Sequence, residues 1–285
     1  MSPLFPRHRI DIGLDELRFA LEACARDPDA DRARAALEAS VASPQEVLAT
    51  LSVRSAFDLL LDALALPAGS EVMLSALTIP DMVRIVRAHG LEAVPVDVDP
   101  ATLTPTREAL ERAYSPRARV LVVAQLFGAR IDLGTCARFA HERGLLLVDD
   151  NAQGFREPAS LDAPSPATVV FHSFGTIKTM TALGGALTRV RDRALLDRMR
   201  AQQARWPVHP TGAYAKKASQ HMALLVAREP EVYRWFGAAC DRFGPGLDRA
   251  VMAMTRGVVS NSSHSRVAKL RKNRPISLST GTPSS

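Results

Sequence analysis

Residues 145–178 read LLLVDDNAQGFREPASLDAPSPATVVFHSFGTIK. Two apolar runs, LLLVDD (145–150) and ATVVFHSF (167–174), each end in polar residues: Asp149, Asp150, Asn151 and Gln153 after the first, His172 to Lys178 after the second. Short continuous apolar runs rich in Val and Leu read as strands buried on both faces, and such strands belong to parallel sheets covered by helices. These sheets bind ligands at the carboxyl ends of their strands. The polar residues therefore stand where chemistry is expected.

Outward from this stretch the same alternation continues. Upstream lie a helix at LGTCARFAHERG (133–144) ended by Gly144, a strand at RVLVVAQLFG (119–128) and a helix at TREALERAY (106–114). Before them come a strand at AVPVDVD (93–99), a helix at IPDMVRIVRAHG (79–90), a strand at EVMLSA (71–76), and a turn leading into an apolar helix at SVRSAFDLLLDALAL (52–66). Downstream, GGALTRV (184–190) reads as the last strand. The units repeat every 25 residues or so, which predicts an α/β fold with a mostly parallel sheet sandwiched by helices. From residue 193 the pattern is helical: LLDRMRAQQARW, YAKKASQHMALLVA and EVYRWFGAACDRF. Helical spacing also marks 14–26 and 31–40. The expected organisation is an N-terminal helical arm (1–45), a large domain (46–192), a reduced helical C-terminal segment (193–257) and a basic tail (258–285) without periodicity.

Composition is that of an ordinary globular protein, with 47% apolar and 23% charged residues over 285 positions. No apolar run is long enough to span a bilayer, and the opening MSPLFPRHRIDIG lacks the apolar core of a secretory signal, so a cytoplasmic location is expected. Cys24, Cys136 and Cys240 are scattered, show no metal-ligand spacing and read as small buried hydrophobes. Much of the formal charge of +6 falls late in the chain, at Arg256, Arg266, Lys269, Arg271, Lys272 and Arg274. No aromatic residues interleave with these cations, so they read as a solvated tail, with neither nucleic acid nor membrane as partner. Trp206 and Trp235 lie on helical stretches and read as packing residues.

DDNAQG (149–154), SFGTIK (173–178) and LGGA (183–186), in this order and spacing, resemble the signatures of the DegT/DnrJ/StrS sugar aminotransferases, a family of pyridoxal phosphate (PLP) proteins of fold type I. ALPAGSEVMLSALTIPDMVRIVRAHGLEAVPVDVDPATLT and VLVVAQLFGARIDL resemble further runs of the family, so the likeness extends over about residues 45–190. It implies a fold type I large domain, PLP as cofactor, an amino acid as amino donor, a nucleotide-linked keto-sugar as acceptor, and a homodimer. A non-transaminating paralogue that keeps the domain for binding or for stabilising a partner is the alternative.

The resemblance also implies roles. Lys178 matches the lysine that holds the cofactor covalently and shuttles a proton. Asp150 matches the carboxylate beside the pyridine nitrogen; such a contact favours the charged ring by about 4 kcal/mol at an effective dielectric of about 20. Asp149 points to the other side of the strand and receives no chemistry. Gln153 matches the side chain that hydrogen-bonds the cofactor's ring oxygen, and Ser173 a phosphate-binding hydroxyl. The amides of Arg54, Ser55 and Ala56 are expected to meet the phosphate at a helix N-terminus.

Several positions depart from the family pattern. Where the family reads Gly-Thr at the phosphate turn, this chain has Val53-Arg54, and where an aromatic ring stacks on the cofactor it has Ile79, which packs but cannot stack. The Gly-x-Asn-x-Arg-Met segment is replaced by WPVHPTGAYAKKASQHM.

Overall fold

The computed structural model describes residues 11–26, 29–41, 46–154, 161–227 and scattered positions from 229 to 242. Its strands are β1 (Val47–Thr50), β2 (Glu71–Ser75), β3 (Glu92–Val96), β4 (Ala118–Ala124), β5 (Leu146–Asp150), β6 (Val169–Ser173) and β7 (Ala186–Val190). They form one sheet in the order β1-β7-β6-β5-β4-β2-β3. Strands β3, β2, β4, β5 and β6 run parallel, while β7 is antiparallel to both β6 and β1. The expected α/β class and mostly parallel sheet are therefore present.

Each central strand feeds two cores because side chains alternate across a sheet. Val120, Val122 and Val148 face one way, against α3 (Val53–Leu64), α4 (Pro80–Ala88) and α7 (Arg193–Gln203). Leu121, Val123 and Leu147 face the other, against α5 (Arg107–Ala113) and α6 (Gly134–Arg143). Helix α3 is anchored most deeply: Phe57, Leu59 and Leu60 are fully buried, and each such side chain contributes about 1.5–3 kcal/mol. Phe57 meets Phe171 of β6 edge to face, with ring centroids 6.3 Å apart. This contact fixes the start of α3 relative to the end of β6. Truncating Phe57 to alanine costs about 3–5 kcal/mol by the usual large-to-small rule.

The structure differs from these expectations in four places. β1 was unread in the sequence; it is four residues long and owes its pairing to β7 rather than to a pattern of its own. α7 packs Leu195, Leu196 and Met199 into the first core, so the large domain extends through it instead of ending at 192. Trp206 packs against that core as expected, but Trp235 is 80% exposed, and none of the core clusters among the described residues draws on positions beyond Leu225. The arm is not separate either. α1 (Leu14–Ala25) packs on α8 (Thr211–Ala227) through Leu17, Leu183, Ala218 and Leu225, while α2 (Ala30–Ala39) lies beside β1. Cys136 is buried, its thiol pushed up to about 12 chiefly by loss of water, whereas Cys24 is only half-buried. Cys240 and the basic tail lie outside the described residues. No helix among the described residues is long and apolar enough to cross a membrane.

Candidate active site

A cleft of about 1260 Å³ opens at the carboxyl ends of β5 and β6. The alternation of β5 sends its two terminal carboxylates to opposite faces, as the sequence predicts. Asp149 takes the face of Leu147 and is 4% exposed; its carboxylate accepts from Gln125 Nε2 and Ser165 Oγ, both at 2.9 Å. Asp150 takes the other face and lines the cleft. Loss of water pushes its carboxyl up to about 6; the Ala152 N–H, 3.2 Å from Oδ1, and the Lys178 ammonium act against that rise, and Asp149 adds to it.

Lys178 rides on the loop after β6. The neck of that loop is closed by backbone bonds of 3.0 Å from Ala182 N and Gly184 N to Phe174 O, and from Phe174 N to Gly185 O. Gly185 has φ of +92°, a conformation that a side chain would strain. Leu183 adopts φ of +61° despite its side chain and is fully buried against α1 and α8. α8 satisfies the two carbonyls beside it: Tyr214 OH donates to Ala182 O at 2.9 Å, and Lys217 Nζ donates to Leu183 O. The Lys178 amine is half-buried at the cleft wall. Loss of water lowers its proton affinity, Asp150 opposes that change, and Arg54 reinforces it. Ser173, at the end of β6, borders the same cleft.

The third element is the start of α3. Ser52 caps the helix, its Oγ accepting from Ser55 N at 3.1 Å and lying 3.0 Å from Ser55 Oγ. Ala56 N donates to Ser52 O at 2.9 Å. Two of the expected amide donors, those of Ser55 and Ala56, are thus already engaged at the helix start. Ser55 and Ala56 use their N–H groups to build the helix, and Ala56 is fully buried and does not border the cleft. Val53 and Arg54 occupy the first two helical positions, whose N–H groups have no acceptor within a helix. No positive φ occurs at this turn, so valine stands in the family's glycine position without backbone strain.

Gln153 and Ile79 complete the expected set, and both line the cleft. Gln153 Oε1 accepts the Phe127 N–H at 3.0 Å. Ile79 caps α4 and is 45% exposed. Gln125 also borders the cleft, its amide bridging Asp149 and the Ile131 N–H behind it, and with Tyr214 and Lys217 of α8 it was not picked out from the sequence. A glutamine between a strand and a Gly-containing turn was the one available signal for Gln125. Nothing in the local pattern of α8 marks it as a cleft wall.

The arrangement brings an amine with lowered proton affinity beside a carboxylate, with hydroxyls and open amides across the cleft. The amine suits attack on a carbonyl, the carboxylate suits pairing with a cation, and the helix start suits an anion. Cations exceed carboxylates along the walls: Arg54, Lys178, Arg205, Lys216 and Lys217 against Asp58, Asp62 and Asp150.

Residues 32–220 match the model of the DegT/DnrJ/EryC1/StrS aminotransferase family. Among solved structures, the chain is similar to the aminotransferase TlmJ from Streptoalloteichus hindustanus, with 25% identity and a TM-score of 0.59 over 69% of this chain and 56% of that one. It is similar to the sugar aminotransferase CalS13 from Micromonospora echinospora, with 26% identity and a TM-score of 0.56 over 70% of this chain and 57% of that one. A third likeness is to DesV of S. venezuelae, solved in complex with a ketimine intermediate, with 25% identity and a TM-score of 0.56 over 70% of this chain and 57% of that one. The chain spans little more than half the length of these structures.

Proposed function

Because the chain belongs to the DegT/DnrJ/EryC1/StrS aminotransferase family, we propose that its cleft binds PLP and transfers an amino group from an amino acid to a nucleotide-linked keto-sugar. One observation carries this reading: Lys178, Asp150, Ser173, Ser55 and Gln153, drawn from separate segments, all open on one cleft. That donor set fits the cofactor, with an amine for its aldehyde, a carboxylate for its ring nitrogen, and hydroxyls with helix-start amides for its phosphate.

PLP supplies an electron sink for the carbanion formed at an amino acid Cα. The residues of this chain do the rest. Lys178 Nζ, with its lowered proton affinity, would hold the cofactor covalently, the aldehyde oxygen leaving as water, and would hold the proton exchanged with Cα. The Asp150 carboxylate holds a proton on the ring nitrogen. Ser55 Oγ, Ser173 Oγ and the Val53 and Arg54 N–H groups hold the phosphate. Gln153 Oε1 is engaged by Phe127, which leaves its Nε2 to donate to the ring oxygen. Ile79 packs on the ring face. Residues 46–192, with α7, form the cofactor-binding unit.

A homodimer belongs to this reading. Phe127 and Ile177 border the cleft at 76% and 69% exposure, and a second copy seated on this rim would cover them.

The test is the absorbance spectrum of the full chain loaded with PLP, before and after glutamate, glutamine and alanine. A bound-cofactor band that shifts with a donor and returns with a keto-sugar supports the reading. A band that no amino acid moves overturns it.

A further inference from the structure

The Arg54 side chain occupies an unusual electrostatic position. Arg54 is the second residue of α3, and helical side chains lean back over the turn N-terminal to them. Arg54 borders the cleft, and its own N–H points towards the helix start. Among the described residues its guanidinium makes one long contact, Nη1 to Asp81 Oδ2 at 3.3 Å. Asp81 is shared, because its other oxygen accepts from Arg84 Nη1 at 2.8 Å. One carboxylate thus serves two guanidinium groups, leaving a positive excess at the cleft. Arg54 Nε is buried and has no hydrogen-bond partner among the described residues. A guanidinium offers five donors in a planar fork suited to phosphate oxygens, and among the described residues only Nη1 of Arg54 is engaged.

The neighbours of Arg54 compound the excess. Its charge acts against protonation of both Lys178 and Lys217, which border the same cleft. A dianion at the start of α3 would offset three cations at once.

We infer that the Arg54 guanidinium is an ionic ligand of the cofactor phosphate, exchanging its long contact with Asp81 for the phosphate oxygens. The inference rests on the reading of the cleft as a PLP site and adds a side-chain role to a position assigned only a backbone one. Arginine here takes over the task of the threonine of the family pattern with a full charge instead of a hydroxyl.

The test compares PLP with pyridoxal, which lacks the phosphate. Both are titrated into the cofactor-free full chain and followed by the fluorescence of Trp206, which lines the cleft. Charge-assisted bonds of this kind make Arg54→Gln weaken PLP binding about tenfold or more, with pyridoxal binding unchanged. Arg54→Lys, which keeps the charge but not the fork, gives a smaller loss in the same direction and carries the test should Arg54→Gln not fold. Asp81→Asn frees Arg54 and keeps the preference for PLP or strengthens it. The inference is overturned if Arg54→Gln binds PLP as the wild type does, if it loses PLP and pyridoxal equally, or if Asp81→Asn reproduces its loss, since Arg54 then only ties α3 to α4. A wild-type chain that binds no PLP overturns the site reading as well; one that binds PLP with Arg54→Gln unaffected overturns this inference alone.

Discussion

Asp150 and Lys178 each oppose the effect of burial on the other. Loss of water favours the neutral form of both groups, while the carboxylate stabilises the ammonium and the ammonium stabilises the carboxylate. They stand at the end of β5 and just beyond the adjacent parallel strand β6. Each charge thereby offsets part of the cost that loss of water imposes on the other.

Cofactor attachment at Lys178 is the first expected outcome. Borohydride reduction of the PLP-loaded chain, followed by peptide mass mapping, should place the added mass on Lys178. Lys178→Met should abolish the adduct rather than move it to Lys217, whose amine is engaged by Leu183 O. Mass on Lys217 in the wild type would reverse the assignment of the two cleft lysines.

The two neighbouring carboxylates should separate by phenotype. Asp150→Asn keeps the size of the side chain but cannot hold the ring charge, and it should slow the amino-donor half-reaction by about 10²–10³ while retaining some PLP. Asp149→Asn should leave that rate within a few fold and lower the melting temperature, because it disturbs a buried pair of bonds to Gln125 and Ser165 at about 1–3 kcal/mol. Equal rate losses in the two variants would mean that the faces of β5 do not divide their roles.

The opposite facing of Asp149 and Asp150 was legible in the sequence because a strand alternates with period two, and the residues at the ends of β5 and β6 could be placed from periodicity and motif together. The cap at Ser52, which engages the Ser55 N–H, was not legible at α3. The short strand β1 and the cleft wall of α8 were not legible. β1 depends on contacts across more than a hundred residues, such as Thr50 with Ala186 and Val47 with Arg189, and α8 on bonds from Tyr214 and Lys217 to a loop 32 and 34 residues back, for which local pattern gives no sign.

Acid stability should be governed partly by His172. It is 2% exposed, bonds Asn151 Nδ2 at 3.3 Å, and is pushed down to about 4, first by burial and then by Arg189 and Arg130. The unfolded chain binds a proton there below about pH 6.5 while the folded chain does not until about pH 4, so folding loses stability as pH falls through that window. The full effect approaches about 3 kcal/mol. Asp150 works in the opposite sense: its raised carboxyl favours the folded state at low pH, and that contribution fades as pH rises from about 4 to about 6. Melting curves between pH 7 and 4 should show His172→Gln losing less stability on acidification than the wild type. Parallel curves would mean that His172 titrates normally.

Assembly is checked by light scattering on the full chain of 30.8 kDa. Twice that mass is expected, and Phe127→Asp with Ile177→Asp should shift the particle towards the single chain. A PLP-loaded monomer in the wild type would contradict the expected rim contact.

The placement of Asp149 and Asp150 on consecutive residues makes β5 a selector as well as a support. Its neighbours hold it residue by residue, Val123 opposite Asp149 and Ala124 opposite Asp150 on one side, Val170 and Phe171 on the other. A slip of one position would exchange the two carboxylates, sending the one bonded to Gln125 and Ser165 towards the cleft and the cleft-lining one into the core. The hydrogen-bond ladder of the sheet thereby acts as a proofreading device for chemistry, and insertions or deletions between Gly144 and Asn151 should be far less tolerated than the same changes on the outer faces of the helices.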